Sequence, residues 1–143
     1  MRQFIATGTI FSGLQEEAID KIVDMGRTVE IEAGRTVFRK GDPGEQVLFI
    51  VNGSVKVECG GSRRLTVNVL RGGEVLGEMA LLGRRRRSAT VTTLEPSEFL
   101  VVDRDDFIPL LEVHPRLAYQ LILSLSERLR RLTDLVESVK PIL

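Results

Sequence analysis

The chain has 143 residues, enough for one domain with a single sizeable core. Its 20 Lys+Arg balance 20 Asp+Glu, which argues against a protein dedicated to binding DNA or RNA, whose footprint is a strong basic excess. A hydrophobic fraction of 43% excludes an intrinsically disordered chain.

The opening "MRQFIATGTIFSGL" has neither the long apolar core nor the small-residue cleavage site of a signal peptide. A helix is expected in "SGLQEEAIDKIVDMG". Ser12 with Gln15 reads as a capping box, acidic residues fill the first turn, and Gly26 closes the end. Leu14, Ala18, Ile19, Ile22 and Met25 share one face. From Val29 to Val102 the period changes to two. "VEIEA", "TVFRK" and "QVLFIV" are short strands separated by turn residues, and "VLFIVNGSVKVE" reads as two strands joined by a type I′ hairpin at Asn52-Gly53. "LTVNVL" alternates Leu65, Val67 and Val69 against Thr66 and Asn68, and "SATVTTL" and "EFLVV" supply two more strands. The lone Cys59 has no partner for a disulfide, zinc or redox motif, so a free thiol in a reducing cytoplasm is expected. Asp103 is placed to cap a helix through "DRDDFIPLLEVH", and Pro115 opens a last helix reaching about Lys140. No stretch approaches the ~20 apolar residues of a membrane span. The order predicts one α+β domain built on antiparallel strands, cytoplasmic and without membrane contact.

One stretch interrupts the strand pattern: "GEVLGEMALLGRRRRSATV", Gly73 to Val91. Glu78 follows Gly77, and the arginines Arg84 to Arg87 follow Gly83. Alone, the pattern reads as a solvated loop, a nucleic-acid patch, or the two halves of a small anion site. Gly72, Gly73 and Gly77 permit close backbone approaches. "EMALL" has room for a turn or two of helix, whose unpaired N–H groups favour an anion. An arginine returning to the same place adds a permanently charged planar fork that matches phosphate. A carboxylate belongs beside a phosphate when it accepts a hydrogen bond from a sugar hydroxyl. Phosphate and ribose side by side point to a nucleotide.

The stretch resembles the phosphate-binding cassette of the cyclic nucleotide-binding domain family. Gly77, Glu78, Ala80 and Leu81 match the first half of the cassette, and Arg87, Ser88 and Ala89 the second. The frame "AGRTVFRKGDPGEQVLFIVNGSVKV", with Gly34, Gly41, Gly44 and Gly53, is also similar, so the likeness spans nearly the whole chain. The resemblance implies a single domain over 1–143. It comprises an N-terminal helical segment (1–26), a β-roll or jelly-roll barrel of about eight antiparallel strands (27–102) with the cassette at 77–90, and two C-terminal helices (103–143). It implies that Glu78 binds the ribose 2′-hydroxyl and Arg87 the cyclic phosphate. Backbone amides around Glu78, Met79 and Ala80 and near Ser88 and Ala89 would complete the cradle, with the Ser88 hydroxyl as an extra donor. Val57, Val67 and Leu70 are expected on the strands walling the pocket. Likeness to the catabolite-activator branch puts Leu132 and Thr133 near the base and Arg128 near Glu78 or the ribose. The residue before the cassette arginine is often proline and here is Arg86, but the step to Ala89 selects Arg87. The position before Gly77, often phenylalanine, is Leu76. The rest of the arginine run is then a solvated loop or outer steering for an anion. The implied ligand is cAMP or cGMP, with no cofactor beyond it, and Ser88 is compatible with either base.

In the last helix Ala118, Ile122, Leu125, Leu129, Leu132, Val136 and Val139 follow steps of four and three. This seam leads to an expected homodimer, with a helix folded back along its own barrel as the alternative. An enzyme is not expected: a metal-bearing barrel would need several histidines, and only His114 exists. The chain stops at "VESVKPIL" without a helix-turn-helix pattern, so no direct nucleic-acid contact is expected. The expectation is a sensor that converts nucleotide binding into helix rearrangement read by an unknown downstream protein. The alternatives are the regulatory piece of a catabolite-activator-type transcription regulator and a ligand-free dimerising module.

Overall fold

The run Val47 to Val51 carries no polar alternation, and the computed structural model supplies the reason: its strand is buried on both faces. The structure describes residues 9–60, 63–78, 83 and 86–137. Within them a 3-10 turn (Thr9–Phe11) and helix α1 (Glu16–Met25) precede the strands. These are β1 (Arg27–Ile31), β2 (Thr36–Phe38), β3 (Gln46–Asn52), β4 (Ser54–Cys59), β5 (Leu65–Arg71), β6 (Val75–Leu76), β7 (Thr90–Thr93) and β8 (Ser97–Asp103). Helices α2 (Arg104–Val113) and α3 (Pro115–Glu137) follow. One sheet has the order β1-β8-β3-β6 and the other β2-β7-β4-β5, with every pair antiparallel. This is the α+β jelly-roll arrangement, with a helix before the strands and two after them.

Strands β3 and β8 face two cores at once. Leu48, Ile50, Phe99 and Val101 point between the sheets, where they meet Val55, Leu70, Leu76 and Val91. Val47, Phe49, Val51, Leu100 and Val102 point the other way, against Ile19 and Ile22 of α1, Phe107 of α2 and Leu117 and Leu121 of α3. The Phe49 ring lies 5.1 Å from that of Phe11 and 5.4 Å from that of Phe107, tilted in both cases, so aromatic packing joins the N-terminal turn, the sheet and α2.

Four local expectations are corrected. First, Asn52-Gly53 is not a hairpin. β3 and β4 lie in different sheets, and the chain crosses between them at Gly53, whose φ is +107° while Asn52 has no positive φ. A second crossing runs beside it from β7 to β8. The two are laced together: Ser54 N–H donates to Ser97 Oγ (3.3 Å), Leu94 N–H to Ser54 O (2.9 Å), and Ser54 Oγ to Glu95 Oε2 (2.6 Å). Second, α1 begins at Glu16 and Ser12 does not cap it. Ile10 and Phe11 are pulled into the core, and Phe11 O accepts the Leu14 N–H, which holds residues 12–15 in a turn. Third, Asp103 stands at the N-cap position of α2 but makes no capping bond. Its Oδ1 accepts from Gln46 Nε2 (3.3 Å), its register partner across β3 and β8. The alternation expected in "LTVNVL" is broken as well, because a β-bulge opposite Val57 and Glu58 makes Val67 an extra residue.

Candidate functional site

Arg87 is where two distant segments meet. The loop between β2 and β3 grips the backbone just before β7. Gly41 N–H donates to Arg87 O and Arg87 N–H to Asp42 O, both at 2.8 Å, and Pro43 forms an isolated antiparallel bridge with Arg86. Arg86 turns outward, donating from Nη1 to Gly41 O (2.9 Å). Arg87 turns inward and is only 8% exposed. Its Nη1 donates to Gln46 O (3.0 Å), and its Cζ lies 4.2 Å from the centroid of the Phe38 ring.

Two glycines lie against Arg87 on other sides. A Cβ on Gly44 would come within 2.8 Å of Arg87 Nε and 2.9 Å of its Cδ and Cζ. A Cβ on Gly77 would strike Arg87 Nη1 and approach Gln46 O to 2.9 Å. Gly77 also has φ +78°, which a larger residue adopts only with strain. The arginine thus lies in a slot made of an aromatic ring and bare backbone.

Next to Gly77, Glu78 faces the last helix. Its Oε1 accepts from Arg128 Nη1 at 2.7 Å, and Arg128 also donates from Nη2 to Val75 O. Both side chains of this ion pair are mostly buried, 14% and 13% exposed, so it is better shielded from solvent than a surface pair. Arg131, one turn on, donates to Asn68 Oδ1 of β5 (3.0 Å). Helix α3 is therefore fastened along the barrel at the mouth of the cleft.

Electrostatically the two arginines differ. Arg128 has a carboxylate; Arg87 forms no ion pair among the described residues. Burial lowers the pKa of the Arg87 guanidinium, while the charges of Glu78 and Asp42 act in the opposite direction. The Nε atoms of both arginines are buried without a hydrogen-bond partner. A guanidinium is always charged at physiological pH, so the slot holds a buried cation with unspent donor capacity. Chemically, such a site suits an anion with planar oxygen acceptors.

The cleft around Arg87 is lined by Phe38, Val57, Leu76, Gly77, Glu78, Arg86, Ser88, Ala89, Val91 and Arg128. It gathers Val57, Gly77, Glu78, Arg87, Ser88, Ala89 and Arg128 from the residues singled out in the sequence. Met79, Ala80 and the short helix read in "EMALL" lie outside the described residues. Four positions stand apart from the cleft. Leu70 is 1% exposed in the core between the sheets, and Val67 is the bulge residue of β5. Leu132 and Thr133 are exposed on α3, and Thr133 Oγ1 donates to Leu129 O (2.9 Å). Phe38, Gly44 and the Gln46 carbonyl were not anticipated, although the spacing of Gly41 and Gly44 already marked their loop.

The fold is a jelly-roll whose cleft joins a buried arginine to a glycine-glutamate turn, and the comparisons identify its family. Residues 28–114, more than half of the chain, match the cyclic nucleotide-binding domain, and the protein belongs to that family. A cyclic AMP receptor protein of Thermus thermophilus is 32% identical over 124 residues, covering 85% of this chain and 57% of the relative. A cGMP-dependent protein kinase of Caenorhabditis briggsae is 32% identical over 112 residues, 76% of this chain and 15% of the kinase. The crystal structure of the Thermus thermophilus catabolite activator protein superposes with a TM-score of 0.78 at 29% identity, covering 92% of this chain and 62% of that one. The chain thus spans about three fifths of the length of the receptor-type relatives it matches. No helix among the described residues is long and apolar enough to cross a membrane.

Proposed function

We propose that the protein is a cyclic nucleotide sensor whose ligand is cAMP or cGMP, bound without a cofactor and without catalysis. One observation carries this reading: Arg87 is buried in the cleft with its charge unpaired and a donor unspent, across from Glu78, in a chain of the cyclic nucleotide-binding family. Arg87 takes the cyclic phosphate, and Glu78 accepts the ribose 2′-hydroxyl. The backbone amides near Glu78 and near Ser88 and Ala89, with the Ser88 hydroxyl, complete the phosphate cradle. Val57 and Ala89 supply apolar wall.

The signal passes through Arg128. A ribose hydroxyl at Glu78 shares that carboxylate with the arginine that fastens α3, so ligand binding changes how the last helix is held. A second copy of the chain covers the exposed apolar stripe of α3, which includes Ile122 (62% exposed), Leu129 (65%) and Val136 (67%). The length of the receptor-type relatives supports a role as the sensing part of a regulator with further domains.

Calorimetric titration with cAMP and, separately, cGMP tests the reading, with Arg87→Leu as control. Micromolar or tighter binding is expected, weakened at least about tenfold in the variant, because charge-assisted phosphate contacts contribute about 1.5–3 kcal/mol each. Folded protein, free of co-purified nucleotide, that binds neither ligand refutes the assignment. Amide exchange over residues 103–137, unchanged at saturating nucleotide, refutes the helix mechanism separately.

A further inference from the structure

Beyond Arg87 itself, the ring beneath it has a role that cassette chemistry does not assign. Phe38 ends β2, where the register to β7 shifts between Thr36 and Phe38, and the residue pairs with Val91. Its side chain is half-buried, packs on the inter-sheet core and lines the cleft under the Arg87 guanidinium. A buried arginine is normally held by a carboxylate, which fixes its direction but neutralises its charge. Here no carboxylate is within ion-pair distance of Arg87 among the described residues. The ring's electron-rich face attracts the cation without accepting an in-plane hydrogen bond. A cation lying over a ring still projects its N–H donors outward in its own plane. One of them goes to Gln46 O and Nε stays unspent.

We infer that Phe38 is the positioning residue of the anion site: stacked on Arg87, it fixes the guanidinium plane while leaving charge and donors available to a phosphate. The inference rests on the reading of Arg87 as the phosphate ligand. The glycine slot complements the ring. Gly44 and Gly77 let the arginine lie close to backbone on its other sides, so Phe38 is the side chain that sets its tilt.

The test replaces Phe38 by Leu and by Tyr, and by phenylalanines of stepwise increasing fluorination, which drain the ring face at nearly constant shape. In nucleotide titrations, Phe38→Leu is expected to raise Kd about tenfold, as a shielded cation–π contact predicts, while Phe38→Tyr stays within about twofold. In the fluorinated series Kd rises in step with fluorine content, whereas a purely structural ring leaves it flat. A second readout needs no nucleotide: NMR relaxation of the Arg87 Nε–H bond in the ligand-free protein. The bond is expected to be rigid in wild type and Phe38→Tyr and mobile in Phe38→Leu. Equal rigidity in Phe38→Leu, or a flat fluorination series, overturns the role of Phe38. Failure of the wild type to bind nucleotide overturns the ligand reading instead, and the relaxation measurement still decides whether the ring holds the arginine.

Discussion

Gly44 offers the sharpest separation between holding the fold and holding the site. It is not among the glycines of positive φ, so alanine there meets no backbone strain, only the contact with Arg87. The new Cβ would lie 2.8–2.9 Å from three atoms of a side chain, where ordinary contact begins at 3.4 Å. The guanidinium must therefore retreat by roughly half an ångström, and overpacking of this kind costs about 1 kcal/mol of stability. The retreat acts on the 3.0 Å bond to Gln46 O and on the stack over Phe38 together. Losing a charged hydrogen bond in part costs about 1–2 kcal/mol, which is about a 5- to 30-fold rise in Kd for nucleotide. Gly34→Ala is the counterpart: φ is +75° but nothing lies within 4 Å, so about 1–2 kcal/mol of stability is lost with Kd unchanged. Calorimetric titration and urea denaturation on both variants measure the two quantities. Wild-type affinity in folded Gly44→Ala, or an equal loss in Gly34→Ala, would refute the claim that the glycine slot sets the arginine.

Other substitutions address other parts of the molecule. Gly53→Ala combines a positive φ with a collision against Ser97, and is expected to cost about 2–4 kcal/mol in urea denaturation. Arg128→Ala leaves Glu78 largely buried without its cation and is expected to cost about 1–3 kcal/mol. A double-mutant cycle with Glu78→Gln should give a coupling of about 1 kcal/mol, and zero coupling would mean that the pair does not fasten α3. Leu129→Glu places a charge on the exposed apolar stripe, so light scattering should detect a dimer in wild type and a monomer in the variant. A wild-type monomer at micromolar concentration would contradict the second copy proposed there.

What the sequence disclosed follows from where each constraint is written. Gly77, Glu78 and Arg87 stand in one short stretch, so a small anion site could be read there, as one of three possibilities, without tertiary knowledge. Pro115 opened α3 because its missing N–H costs nothing there. Phe38 and Arg87 are far apart in the chain, and a ring under a cation leaves no periodic mark. Asn52-Gly53 misled because the positive φ that makes a hairpin also makes a corner; only long-range pairing distinguishes the two. Ser12 misled because the pull of Ile10 and Phe11 into the core outweighed a local cap. Leu70 was expected at the pocket wall from the resemblance, yet a strand assignment does not say which part of an interior a side chain reaches, and it packs between the sheets.

The crossing at Gly53 also bears on how the chain reaches its fold. Since β3 and β4 do not pair, β3 finds no partner across the turn at Gly53, whereas β4 pairs locally with β5. The pairing that β3 requires joins Gln46 to Asp103 and Ile50 to Phe99, contacts separated by more than a third of the sequence. Closing so long a loop precedes most of the burial that rewards it, which places the protein among the high-contact-order, slower-folding topologies. Gln46, whose carbonyl holds Arg87, belongs to that pairing, so this hold on the arginine is completed together with the long-range closure.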